Sequence, residues 1–195
     1  SEMRKRFTRS CTRLCASGWG SCEGGEYHCF YETTFDINVE GIENGSQFRL
    51  AQFAYGNFNY RSEEIGVNVV GTATRDCSLS PTPSSCYGLG TVKYSLVHTG
   101  PFEVRNHRGD IYQAPLFDGV IESGTAIAAE RYITNPISSA DRSLLDPNMM
   151  VGMRGRPMTG HYSLRIWEDE GFDFSQLADI QLVWNYSYWT RLGVH

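Results

Sequence analysis

Apolar residues recur at every second position over much of the chain, the period of a β-strand with one buried face. Residues 30–39 place Phe35, Ile37 and Val39 on one side, and similar strand-like runs mark 65–74, 91–97 and 162–167. The clearest case is 180–188, where Ile180, Leu182, Trp184, Tyr186 and Tyr188 face one way and Gln181, Val183, Asn185 and Ser187 the other. Shorter runs at 48–55, 102–104, 111–114 and 119–121 read as further strands, and Asn44 with Gly45 is a strong hairpin-turn signal. Residues 126–133 lie between Gly124 and Pro136 and read as strand or irregular, although the alanines there permit a helical turn. Residues 134–160 read as a long loop, with Met149, Met150 and Met153 set among prolines and glycines. Many short strands separated by turns predict an all-β chain, specifically an antiparallel β-sandwich of jelly-roll type.

The chain of 195 residues can bury its own core. We divide it into residues 1–29, a basic arm with a Cys-rich loop segment, and residues 30–195, a single sandwich domain. Arg4, Lys5, Arg6, Arg9 and Arg13 place five of the 17 basic residues in the first 13 positions. The remainder carries 12 basic against 21 acidic residues, a net charge of −9, which repels nucleic acid phosphates. The arm itself is read as a solvated tail, so no nucleic acid partner is expected. No apolar run approaches the roughly 18 residues of a membrane-spanning helix. No signal-peptide stretch follows Ser1, Glu2 and Met3, so an exported chain would have lost its leader or derive from a larger protein.

Six cysteines change this picture by pointing to an oxidising compartment, hence a secreted or cell-surface location. Cys77 and Cys86 flank a loop rich in serine and proline and are expected to pair, contributing on the order of 2–3 kcal/mol. Cys11, Cys15, Cys22 and Cys29 can pair in three ways, among which spacing does not choose. Their spacing lacks the paired C-x2-C knuckles of zinc ribbons, so disulfides are the preferred reading over a zinc site.

The C-terminal stretch suggests a family. It runs from Gly160, His161, Tyr162, Ser163, Leu164, Arg165 and Ile166, through Phe172-Asp173-Phe174 and Asp179-Ile180-Gln181-Leu182, to Tyr186 and Arg191. This stretch resembles the end of the large A subunits of bacterial insecticidal toxin complexes. Upstream, Gly100-Pro101-Phe102-Glu103-Val104 and residues 116–124 are similar to the same family's preceding strands. The resemblance spans roughly residues 95–191. It implies a β-rich closing domain that docks another component of an assembly, and a structural role for Asp179 at a loop-to-strand corner.

No nucleophile elbow, His-Glu-x-x-His motif, phosphate-binding loop, dinucleotide fingerprint or EF-hand occurs in the sequence. The five histidines lack metal-ligand spacing. We therefore expect a noncatalytic domain with no required cofactor. Glu168, Asp169 and Asp173 could supply oxygen ligands to calcium, though a solvated acidic loop is the simpler reading. Arg108-Gly109-Asp110 spells an integrin-recognition tripeptide, and Gly-Asp is also ordinary turn chemistry, which is the reading preferred from sequence.

Aromatic side chains are the better lead to a ligand. Trp19, Trp167 and Trp189 are the binding candidates, since Trp184 and Tyr186 fall on the expected core face. The leading functional expectation is protein–protein docking in a surface or toxin-like assembly. A carbohydrate-binding module is the alternative, and a hydrolase comes third. A row of aromatics on one sheet face would favour sugar, whereas an unpaired edge strand would favour protein.

Overall fold

The computed structural model describes residues 2–14, 26–38, 57–71, 90–114, 119–129, 132–133, 142, 145, 148–168 and 173–191. Among these residues nine strands run in chain order: β1 Thr8–Leu14, β2 Glu26–Ile37, β3 Asn57–Val70, β4 Gly90–Thr99, β5 Phe102–Arg105, β6 Ile111–Ala114, β7 Val120–Ala129, β8 Gly160–Trp167 and β9 Asp179–Thr190. Seven of them form one sheet in the order β1-β2-β8-β4-β7-β3-β9, and β5 pairs with β6 as a separate hairpin. The all-β class expected from the alternation holds.

Burial follows the period-two pattern. Val92, Tyr94 and Leu96 of β4, Tyr162, Leu164 and Ile166 of β8, and Ile65, Val67 and Val69 of β3 are each at most 2% exposed. They share a core with Phe35 and Ile37 of β2 and Ile180 of β9. Each such side chain removed from water contributes about 2 kcal/mol of transfer free energy.

The sheet is not flat. Four strand spacings of about 4.8 Å, roughly 19 Å, would separate β8 from β9 in a flat sheet. Yet the Tyr162 ring on β8 lies edge-on to Trp184 on β9 at 5.3 Å. The sheet therefore coils until its far strand crosses over its middle, and the core fills the concave side. The layering comes from one continuous sheet folded over; among the described residues the strands do not divide into the two opposed sheets of a jelly roll. Nor are all pairings antiparallel, because β3 and β7 run parallel over Asn68↔Ile127 to Val70↔Ala129.

Two further details refine the sequence reading. Residues 8–14, assigned there to an arm and loop, are a strand in register with β2, and the proposed boundary at residue 29 falls inside β2. The ambiguous stretch from 126 belongs in part to β7, which joins it to the short run at 119–121. The pairing of Cys11 with Cys29 selects one of the open disulfide arrangements and ties the edge strand to its neighbour. Cys15, Cys22, Cys77 and Cys86 lie outside the described residues, as do the hairpin signal at Asn44 and the strand expected at 48–55.

The β5–β6 hairpin is anchored most firmly at the start of β5. Phe102 is fully buried and packs edge-on against His98 at 4.8 Å, with the Arg156 guanidinium 5.2 Å above its ring. Thr159 Oγ1 accepts from the Glu103 N–H at 2.8 Å and donates to the Glu103 carbonyl at 2.6 Å. Beneath lies His98, stacked on Tyr162 at 4.2 Å, its Nε2 2.9 Å from the Thr159 carbonyl and its Nδ1 accepting from Arg156. Burial pushes its pKa down from 6.5 to about 4; the Thr159 carbonyl opposes that shift and the Arg156 charge adds to it. Gly160 must be glycine here: its φ is +136°, and an added Cβ would sit 2.6 Å from His98 Nε2 and 2.8 Å from the Thr99 carbonyl.

Candidate functional site at the β9 edge

Among the described residues, β9 ends the sheet and pairs only with β3. Its first half follows the expected alternation. Ile180 is buried, Leu182 and Trp184 pack against the core, and Trp184 Nε1 donates to Ser62 Oγ at 2.7 Å. Asp179 Oδ1 accepts from the Ile180 N–H and its Oδ2 from the Tyr132 hydroxyl, both at 2.8 Å, which fixes the start of the strand.

Past Trp184 the core runs out and the aromatics continue. Tyr186 is half-buried, and Tyr188 and Trp189 are 46% and 64% exposed. On β3 the register shifts between Phe58 and Arg61, and Asn59 takes a left-handed φ of 55°. Such a bulge re-aims the side chains on either side of it. Phe58 meets Trp189 edge-on at 6.0 Å, with His107 of the hairpin turn 6.4 Å from Phe58. Tyr60 instead joins Tyr186 at 5.9 Å and Tyr188 at 5.5 Å. Tyr188 and Trp189 are consecutive strand residues and point to opposite faces. The two aromatic groups therefore straddle the open edge of β9.

Nearer the middle of the strand, the face opposite the core carries a cleft of about 410 Å³ lined by Glu64, Arg142, Met149, Val151, Val183 and Asn185. Its polar rim is set by Glu64, which accepts from Asn185 Nδ2 at 3.1 Å and from Arg154 Nη2 at 3.4 Å.

The sequence candidates fall in different places. Trp189 belongs to this edge. Trp167 is half-buried, packed 5.0 Å from the Phe30 ring and donating from Nε1 to Ser95 Oγ at 2.9 Å, an environment that holds it in the fold. Trp19 lies outside the described residues. Glu168 pairs with Arg9 at 2.5 and 2.9 Å, and that hydrogen bond holds its carboxyl below the usual range. Asp173 accepts from the Ser175 N–H at 2.9 Å and caps the short 3-10 turn Phe174–Gln176, its carboxyl likewise lowered by hydrogen bonds from Ser175. Asp169 lies outside the described residues. Among the described residues no group of three or more His, Cys, Asp or Glu side chains is placed to hold a metal. Among them, too, no helix is long and apolar enough to cross a membrane.

Phe58, Tyr60 and His107 escaped the sequence reading. Phe58 and Tyr60 sit in a short run, 57–64, that alternates only over Asn57 to Arg61 before turning wholly polar, too brief a signal to have been read as a strand. The chain matches no family model, no curated protein and no solved structure.

Proposed function

We propose that this chain is a noncatalytic binding domain of a secreted or cell-surface protein, and that it docks an extended segment of a protein partner by strand addition along β9. The observation that carries the reading is a 12-residue strand whose outer edge is unpaired among the described residues and whose exposed end presents aromatics on both faces. An added strand gains main-chain hydrogen bonds from the edge, and its alternating side chains would meet Tyr186 and Tyr188 on one face and Trp189 with Phe58 on the other. The Cys11–Cys29 bridge supports an oxidising compartment. The resemblance of residues 95–191 to toxin-complex A subunits, whose closing domain docks another component, points to a subunit of an assembly as the partner. Carbohydrate binding is the second reading, favoured by the exposure of Trp189. A flat sugar platform needs its rings on a common face, however, and the straddled edge does not provide one.

Displayed peptide libraries selected on the intact protein test this directly. Selected peptides should slow amide exchange along β9 from Asn185 to Thr190, and Trp189→Ala should weaken them. Peptides that protect other segments would refute the reading. Glycan-array binding that quenches Trp189 fluorescence would replace it with the carbohydrate reading.

A further inference from the structure

The β5–β6 hairpin projects a tip that strand addition at β9 does not use. Ile111, Tyr112 and Gln113 of β6 are all exposed, and among the described residues β6 pairs with β5 alone. The turn between the two strands is held by one side chain. Asn106 Oδ1 accepts from the backbone N–H of Arg108 at 2.8 Å and of Asp110 at 3.0 Å. The Asn106 N–H donates to the Asp110 carbonyl at 2.9 Å, and the Gly109 N–H to the Asn106 carbonyl at 3.1 Å. Gly109 has a φ of +92°, the left-handed region that only glycine enters without strain.

This arrangement changes the weight of the tripeptide Arg108-Gly109-Asp110. From sequence, the aspartate is most simply explained as a turn former. In the structure Asn106 does that work, and the Asp110 side chain makes none of the bonds that close the backbone turn. One Asp110 carboxylate oxygen accepts from Asn106 Nδ2 at 3.1 Å; the other has no partner among the described residues. The Arg108 guanidinium, likewise exposed, makes no hydrogen bond or ion pair among them. A cation and an anion are thus presented on either side of a glycine, on a turn already held in shape, which lowers the entropy lost on binding.

We propose that this tip is a second recognition element, read by a receptor of the integrin class through a carboxylate that ligates a receptor-held divalent cation and a guanidinium that enters an acidic pocket. A free carboxylate oxygen is a hard ligand suited to such an ion. The planar guanidinium forks onto carboxylates with a geometry that lysine does not match. His107, packed toward Phe58, orients the tip beside the aromatic edge without engaging either charged group.

The test uses the intact chain and an immobilised ectodomain of an integrin that reads Arg-Gly-Asp, in buffer containing manganese. Binding should saturate, vanish with EDTA and be competed by a short linear Arg-Gly-Asp peptide. Asp110→Glu keeps the charge but moves the carboxylate one methylene outward, and should weaken binding by at least ~10-fold, the scale of a lost hot-spot contact. Arg108→Ala should do the same, and thermal melts of both variants should match the parent. Trp189→Ala should leave this binding unchanged, which separates the proposal from strand addition at β9. Absence of binding by the parent chain, or binding that survives EDTA or Asp110→Glu, would overturn it.

Discussion

At one end of the sheet, β1 is seven residues long, covalently tied to its neighbour through Cys11–Cys29, and fastened across the surface by the Arg9–Glu168 pair. At the other end, β9 runs 12 residues, carries no such tie among the described residues, and leaves Tyr188 and Trp189 open to solvent. Exposed edges invite pairing with other chains, and proteins blunt them with short strands, charges and covers. Among the described residues one edge is blunted in that way and the other is not. Unprotected aromatics at a sheet edge otherwise favour aggregation, a contrast consistent with the strand addition proposed above.

Acid separates the core beneath both edges from the edges themselves, and it carries the largest expected effect. His98 has a folded pKa of about 4 against an ordinary value of 6.5, so between these values the unfolded chain takes up a proton that the folded one refuses. Stability therefore falls as pH drops from 6.5 to 4, by on the order of 3 kcal/mol, and this contribution levels off below. Replacing His98 with Gln should flatten that limb in denaturant titrations across pH. An unchanged slope would show that the acid sensitivity comes from surface carboxylates such as Glu168.

The covalent tie gives the next effect. Cys11→Ser with Cys29→Ser opens a loop with a sequence separation of 18. It should cost roughly 2–3 kcal/mol, read as a lowered denaturant midpoint. A loss below ~1 kcal/mol would mean that the β1–β2 ladder holds the edge without help, and the two edges would differ less than they look.

Within β9 the comparison sharpens at neighbouring tryptophans. Trp184→Phe removes the hydrogen bond to Ser62 and should cost about 1 kcal/mol. Trp189→Ala should change stability by no more than about 0.5 kcal/mol, as surface substitutions do. A large loss at Trp189 would recast it as packing and remove it from the docking surface.

Strands with a buried face were legible because alternation is a local property of the sequence. Phe35, Leu164 and Ile180 could be placed on core faces from their neighbours alone. β1 was not legible: Thr8 to Leu14 has no apolar alternation, because an edge strand can be held by backbone hydrogen bonds, which any residue but proline can supply. The binding edge was half legible. Trp189 stood out as an aromatic beyond the core. Phe58 and His107 did not, because they reach it through a bulge at Asn59 and the turn of another hairpin. The tripeptide at 108–110 was visible as letters, but its exposure and its freedom from turn duty depend on Asn106.

By itself, the sequence determined the β class and the faces of the strands that build the core, and its cysteine count pointed to disulfide bonding, of which Cys11–Cys29 is an instance. These follow from side-chain period and residue type, which act within a few positions along the chain. The tertiary structure decided that the strands form one coiled sheet, which cysteine meets Cys11, which edge stays open and which aromatics gather there. Those outcomes depend on pairings between strands distant in the chain, whose energies come from register and coiling that local pattern does not encode.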